Sequence, residues 1–232
     1  MGRPTEKPLR NPCGKWVTPQ RAMEIKVISF DLDGTLVDHS FADAVWHEGM
    51  AELYAQKQAI PLHEARERII RSYSEMGDEA LQWYDLGYWF LRFQLPGSPH
   101  ELLQRYRDRV RMFGDVRDVL ERLRGRYRLV LFSNACRDFM QVELEETGLD
   151  QYFERTISSV SDFKRVKDPQ AYLKLSGLLK IPPREILHIG DHKKFDFSNP
   201  STVGINSILI NRDGKRPEGI KDLKKLLEVL EG

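Results

Sequence analysis

The sequence predicts an α/β fold, a doubly wound parallel sheet interrupted after its first strand by a helical subdomain. Three observations carry that expectation. Short apolar, β-rich runs alternate with amphipathic helical patterns along most of the chain, as expected for strands buried on both faces and joined by helical crossovers. Between residues 38 and 113 the alternation stops and only helical periodicity remains. Several of the strands also end abruptly in polar residues, at the sheet edge where open α/β folds bind ligands.

The first strand is expected over 25–30 (IKVISF), ending at Asp-Leu-Asp-Gly. Further strands are expected over 128–132 (RLVLF, ending at Ser-Asn), 156–158, 186–189 (ILHI, ending at Gly-Asp) and 207–210. Helical spacing falls between them, over 116–123, 138–146 and 170–179, with a C-terminal helix from about 220. Right-handed crossovers then give a Rossmann-like core. Inside the insert, apolar residues at helical spacing mark helices over 41–57, 62–76 and 99–113. Residues 81–95 (LQWYDLGYWFLRFQL) carry two apolar stripes where a surface helix needs one. Read as one helix, the segment is sandwiched: against the core domain, as a pocket wall, or as a dimer surface. The domains expected are a tail over 1–22, a core over 23–37 and 114–232, and a helical unit over 38–113.

Composition narrows the function classes. The 232 residues hold 36 basic and 35 acidic side chains, a balance that argues against a nucleic-acid partner. No run approaches the roughly 18 apolar residues of a membrane helix. The basic, proline-rich N-terminal segment has no apolar stretch and does not read as a secretory signal. The two cysteines, Cys13 and Cys136, lie far apart, which fits neither a zinc site nor a disulfide framework and suggests a cytoplasmic setting.

The chemistry is concentrated at the strand ends. In Asp31-Leu32-Asp33-Gly34-Thr35 the two aspartates share one face of an extended segment while Leu32 faces the core, and Gly34 permits a sharp turn. Two adjacent carboxylates need a cation or a shared proton. Ser133-Asn134 closes the second strand, and a lysine-rich stretch, 164–169 (KRVKDP), follows the third. Gly190-Asp191 closes the fourth, with Asp196 five residues on.

In that order these motifs resemble the haloacid dehalogenase superfamily, over roughly 25–212 with the insert where such proteins carry a helical, C1-type cap. The resemblance implies a Mg²⁺-dependent phosphatase acting on a small phosphorylated metabolite. Asp31 is then the nucleophile and Asp33 the acid/base. Asp31, the Asp33 backbone carbonyl and Asp191 would hold Mg²⁺, the all-oxygen set favouring it over zinc. Ser133, Asn134 and a lysine would hold the phosphoryl oxygens. The lysine spacing departs from the family, with Val166 at the counted position. Lys167 is expected to serve, with Lys164 as the alternative. Asp196 is expected to orient the metal's waters and Thr35 to hydrogen-bond the first loop, both behind the reacting groups. His192 reads as an exposed loop residue and Cys136 as a packed small hydrophobe. The alternatives are a phosphomutase or a phosphate-binding regulatory protein without turnover. Asp33 argues against dehalogenation, because a leaving halide needs no proton. Self-association through the aromatic 81–95 segment is a further possibility.

Overall fold

The structure is a computed structural model, and residues 25–231 are described. The expected tail over 1–22 and Cys13 lie outside these residues. Five strands form one all-parallel sheet in the order β3-β2-β1-β4-β5: β1 Val27–Phe30, β2 Arg128–Ser133, β3 Arg155–Ser158, β4 Ile186–Gly190 and β5 Asn206–Leu209. The register is fixed by pairs such as Phe30↔Leu131 and Phe30↔Ile189, so the carboxyl ends of β1, β2 and β4 finish side by side. The chain order reverses across β1, which makes this edge the topological switch point where α/β sheets bind ligands.

Both faces of the sheet are covered, which is why its strands read as apolar runs. Ile28 and Phe30 enter one core with Leu129, Leu131, Leu187 and Ile189. The helices α6 (Val116–Leu123) and α7 (Arg137–Thr147) cover that side. Val27, Val130, Phe132 and Ile186 enter the opposite core, under Ala171, Tyr172 and Leu175 of α9 (Pro169–Leu179). The short α8 (Ser159–Asp162) and α10 (Asn199–Thr202) flank α9 in the chain, and α11 (Lys224–Glu231) closes it. The final helix begins a turn later than the sequence suggests, because residues 211–223 first return to pair Ile210 with Ile220.

Between β1 and α6 the chain is helical: α1 (Ser40–Asp43), a wide π turn over Ala44–Gly49, α2 (Met50–Gln58), α3 (Leu62–Met76), α4 (Leu86–Phe93) and α5 (Pro99–Tyr106). Gly49 is needed in the first rod, since a Cβ there would lie 2.5 Å from the Tyr106 ring. Two expectations are corrected. The 81–95 segment is not one helix. A 3₁₀ turn over Leu81–Tyr84 ends at Asp85, whose carboxylate accepts the Tyr88 N–H at 3.0 Å and starts α4 afresh. The break cuts across both apolar stripes: Trp83 and Tyr84 of the turn line the cavity at the sheet edge, while Trp89 and Phe90 of α4 enter the insert's own core. The helix expected over 99–113 stops at Tyr106. After a 3₁₀ turn the chain extends at Val110, and Val37 bridges Met112 as the insert rejoins the core. In that stretch Arg107 pairs with Glu146 and Arg111 donates to the backbone carbonyl of Asp108.

Trp89 is fully buried among Tyr73, Phe93 and Tyr88, whereas Leu91, two residues on, is 81% exposed. Trp89→Ala should destabilise the protein by about 3–5 kcal/mol. Leu91→Ala should stay within about 0.5 kcal/mol of wild type. Urea unfolding of the two variants measures both values.

Candidate active site

Lys167 is the centre of the arrangement. Its side chain is 2% exposed, and Nζ donates to Asp31 Oδ1 at 2.6 Å and to Asp196 Oδ1 at 2.5 Å. The backbone holds it there. Asp168 caps α9 by accepting the Ala171 N–H at 2.8 Å, with Pro169 in the first turn, so the residue just before the helix is pinned. The Lys167 N–H donates to Asn134 Oδ1 at 2.8 Å, and its carbonyl accepts from Asn199 Nδ2 at 2.9 Å. Lys164 is exposed, adopts a left-handed backbone (φ +54°) and lines a different hollow.

Asp196 is fully buried and has both oxygens engaged. Oδ1 meets Lys167 and His188 Nε2 (3.1 Å), and Oδ2 accepts the His192 N–H at 2.9 Å. Burial alone would favour its neutral form, but Lys167 and His188 outweigh that and hold it well below the usual carboxylate range. For Lys167 burial disfavours the ammonium, and the carboxylates of Asp196 and Asp31 more than restore it, so it stays charged. Asp31 has lost its solvent and stands near Asp196 and Asp191. Its carboxyl is pushed up to about 8 despite Lys167. Two glycines make the crowding possible. A Cβ at Gly190 would lie 2.3 Å from Asp196 Cγ, and one at Gly34 (φ +69°) 2.5 Å from Asp191 Oδ2.

Asp31, Asp191 and Asp196 each offer an oxygen, and these lie within 4.8 Å of one another. Three carboxyl groups converge on one point, and an all-oxygen donor set fits a hard divalent cation such as Mg²⁺. Because Asp196 is already engaged by Lys167, His188 and an N–H, Asp31 and Asp191 are the carboxylates with a coordination position to give.

Asp33 lines the same cavity, but its carboxyl faces Glu143 of α7, and burial raises it above the ordinary range. Glu143 is fully buried, and no other described residue gives its oxygens a donor. Two facing carboxyls are satisfied only if at least one keeps its proton. Burial, then Asp33, holds Glu143 protonated well above the carboxylate range. The sequence reading missed Glu143. Its signal was an acidic residue on the apolar stripe of α7, four residues after Phe139 and four before Thr147. His188 was also missed. It is a histidine inside an otherwise apolar strand, held between Ser29 Oγ (3.0 Å) and Asp196, and burial keeps it below its usual value. A third omission is His39, 3.6 Å from Asp191, and the carboxylate beside it raises it to about 9.

Ser133 and Asn134 lie on the cavity wall. Ser133 Oγ accepts the Ala135 N–H at 3.1 Å, and Asn134 Nδ2 donates to the Tyr84 hydroxyl of the insert at 3.2 Å. Thr35 differs from expectation: its buried hydroxyl has no hydrogen-bond partner among the described residues. The first loop is held instead through the Thr35 carbonyl, which accepts from Arg212, itself 2.8 Å from both oxygens of Asp115. His192 is half-exposed and accepts the Phe195 N–H, capping the next turn. Cys136 packs beside the insert's core, and burial pushes its thiol up to about 11, so it is not a ready nucleophile.

These groups surround a cavity of about 260 Å³ between the sheet edge and the insert. No described helix is long and apolar enough to cross a membrane.

The fold and motifs have counterparts among known proteins. The chain is 27% identical to a HAD phosphatase structure from Thermococcus onnurineus, which covers 90% of this chain and 99% of that one with a TM-score of 0.80. It is 30% identical to a phosphoglycolate phosphatase from Nitrosospira multiformis, over 73% of this chain and 76% of the relative. It is 27% identical to (S)-2-haloacid dehalogenase 4A from Burkholderia cepacia, over 84% of this chain and 86% of the relative. The family model for haloacid dehalogenase-like hydrolases matches residues 25–197, from the first strand through the Asp196 loop, and the chain belongs to that family of hydrolases.

Proposed function

We propose that this hydrolase cleaves a small phosphate monoester by way of a covalent phosphoryl group on Asp31. The carrying observation is the placement of the Asp31 carboxylate at the floor of the cavity, fixed by buried Lys167 and flanked by Asp33 and Asp191. Relatives that bear phosphatase names support the reading.

In the first step an Asp31 oxygen attacks phosphorus, the bond to the leaving alcohol breaks, and the Asp33 carboxyl gives that oxygen its proton. Burial, which raises Asp33, keeps the proton available. In the second step Asp33 takes a proton from water, whose oxygen attacks phosphorus and frees Asp31 and inorganic phosphate. Lys167, Ser133 and the Asn134 backbone face the phosphoryl oxygens and balance their charge where it develops. Mg²⁺ bound at Asp31, the Asp33 carbonyl and Asp191 would supply Lewis-acid neutralisation of the same oxygens. The helical insert acts as a cap over the cavity. Dehalogenation would leave the proton on Asp33 without a role. Lys167 Nζ reaches Asp31 despite the irregular spacing of the lysine loop, which supports turnover over binding alone.

Asp31→Asn should abolish turnover in a steady-state assay with para-nitrophenyl phosphate while leaving the melting temperature within a few degrees of wild type. Lys167→Ala should lower kcat by about a hundredfold or more, the scale of one lost transition-state contact. Lys164→Ala should change it only slightly, and the reverse ranking would move the role to Lys164. Chelation with EDTA should silence the enzyme and Mg²⁺ should restore it. Ca²⁺ should restore it poorly, since its longer bonds and higher coordination misplace the nucleophile. Activity that persists in chelator would remove the metal from the account.

A further inference from the structure

The cavity has two chemically different ends. Lys167, Asp31 and Asp191 stand at the sheet. The other end is built by the insert and α7 from Trp46, Tyr73, Trp83, Tyr84 and Phe139. Trp46 is the hub of this wall. It lies parallel to Phe139 (5.7 Å between centroids, 5° between planes), stacks on Trp83 at 6.2 Å and meets Tyr73 edge-on at 5.6 Å. Trp46, Trp83 and Tyr84 are only partly buried, so ring surface remains for a ligand.

The second observation is a matter of charge. Apart from Lys167, no lysine or arginine among the described residues lines the cavity. Lys167 is already taken by Asp31 and Asp196. The histidines on the wall each face a carboxylate: His39 with Asp191 (3.6 Å), His47 with Asp43 (3.7 Å), and His192 with Asp78 (3.4 Å). A substrate bearing a second anion, such as a carboxylate or another phosphate, would bury that charge against rings and beside Asp43 with no free cation among the described residues to meet it. A flat uncharged group would instead stack on the exposed ring faces.

Resting on the phosphatase reading above, we propose that the substrate is a monophosphate whose leaving alcohol carries a flat, uncharged ring, an aryl-alkyl or nucleoside-type ester. The phosphoryl group takes the sheet end and the ring takes the Trp46–Trp83–Phe139 wall. At about 260 Å³ the cavity lies just below the range that holds drug-sized ligands, which limits the ring system to a small one.

Four alkyl phosphates with comparable leaving groups test this on the Mg²⁺-loaded protein: benzyl phosphate, guanosine 5′-monophosphate, glycerol 3-phosphate and phosphoglycolate. The kcat/KM for at least one ring-bearing ester should exceed that for both others by about tenfold or more, the scale of one or two aromatic contacts. Benzyl phosphate and the nucleotide separate a bare ring from a nucleoside. Trp46→Ala should remove most of the advantage and Trp46→Phe should keep most of it, with melting curves confirming that both are folded. If Trp46→Ala does not fold, Trp83→Ala takes its place. Phosphoglycolate or glycerol 3-phosphate turned over as well as the ring-bearing esters overturns the proposal. If no ester is turned over, the phosphatase reading fails, and calorimetric binding of the same four compounds decides the pocket by itself. Tighter binding of a ring-bearing ester supports the assignment, and equal or tighter binding of phosphoglycolate overturns it.

Discussion

Everything at the sheet edge depends on one buried ammonium. Lys167 Nζ lies between Asp31 and Asp196, all three groups are out of solvent, and the ammonium is intolerable there without acceptors. Removing the ammonium from such a cluster strands the remaining charge, typically at a cost of about 3–5 kcal/mol, whereas an isosteric amide at Asp31 still accepts its hydrogen bond. The cluster therefore constrains the surrounding chain. Asp168 must start α9 where it does, Asn134 and Asn199 must hold the Lys167 backbone, and His188 must stand behind Asp196. Gly34 and Gly190 must lack side chains. These residues come from β1, β2 and β4 and from the segments that follow β1, β2, β3 and β4, whose carboxyl ends the parallel sheet brings to one edge.

A second layer sets what each carboxyl can do. Asp196, Asp31 and Asp33 share one cavity and one residue type, yet their surroundings separate them. Asp196 is held ionised by Lys167 and His188. Asp31 is raised by burial and by its acidic neighbours, and a divalent cation beside it would draw it back to the ionised form a nucleophile needs. Asp33, beside Glu143, is raised by burial, as suits a proton donor. Environment, not residue identity, divides the labour.

Much of this could be read from the sequence. The strand ends at Asp31, Ser133 and Gly190 were legible because apolar runs stopping at polar residues are a local pattern. The insert was legible because helical periodicity replaced alternation. What failed was also local in cause. Asp85 looked like one polar residue inside a helix but is a cap that restarts it, and the 99–113 helix ended where the chain had to turn back to Val37. The roles of Glu143 and His188 were missed for another reason. Their partners, Asp33 and Asp196, are brought to them only by the packing of α7 and of the Asp196 loop. The spacing around Lys167 was ambiguous because the left-handed turn at Lys164 takes up a residue, which no count along the chain reveals.

The central claim is that the phosphoryl group passes through Asp31. The most direct measurement is peptide mass spectrometry of wild-type enzyme quenched in acid during turnover of a phosphate ester. The account predicts a fraction of the peptide containing Asp31 heavier by one phosphoryl group, with fragmentation placing it on Asp31 and not on Asp33 or Ser133. A phosphoryl group on another residue, or none while a burst of leaving alcohol shows that an intermediate has accumulated, would contradict it.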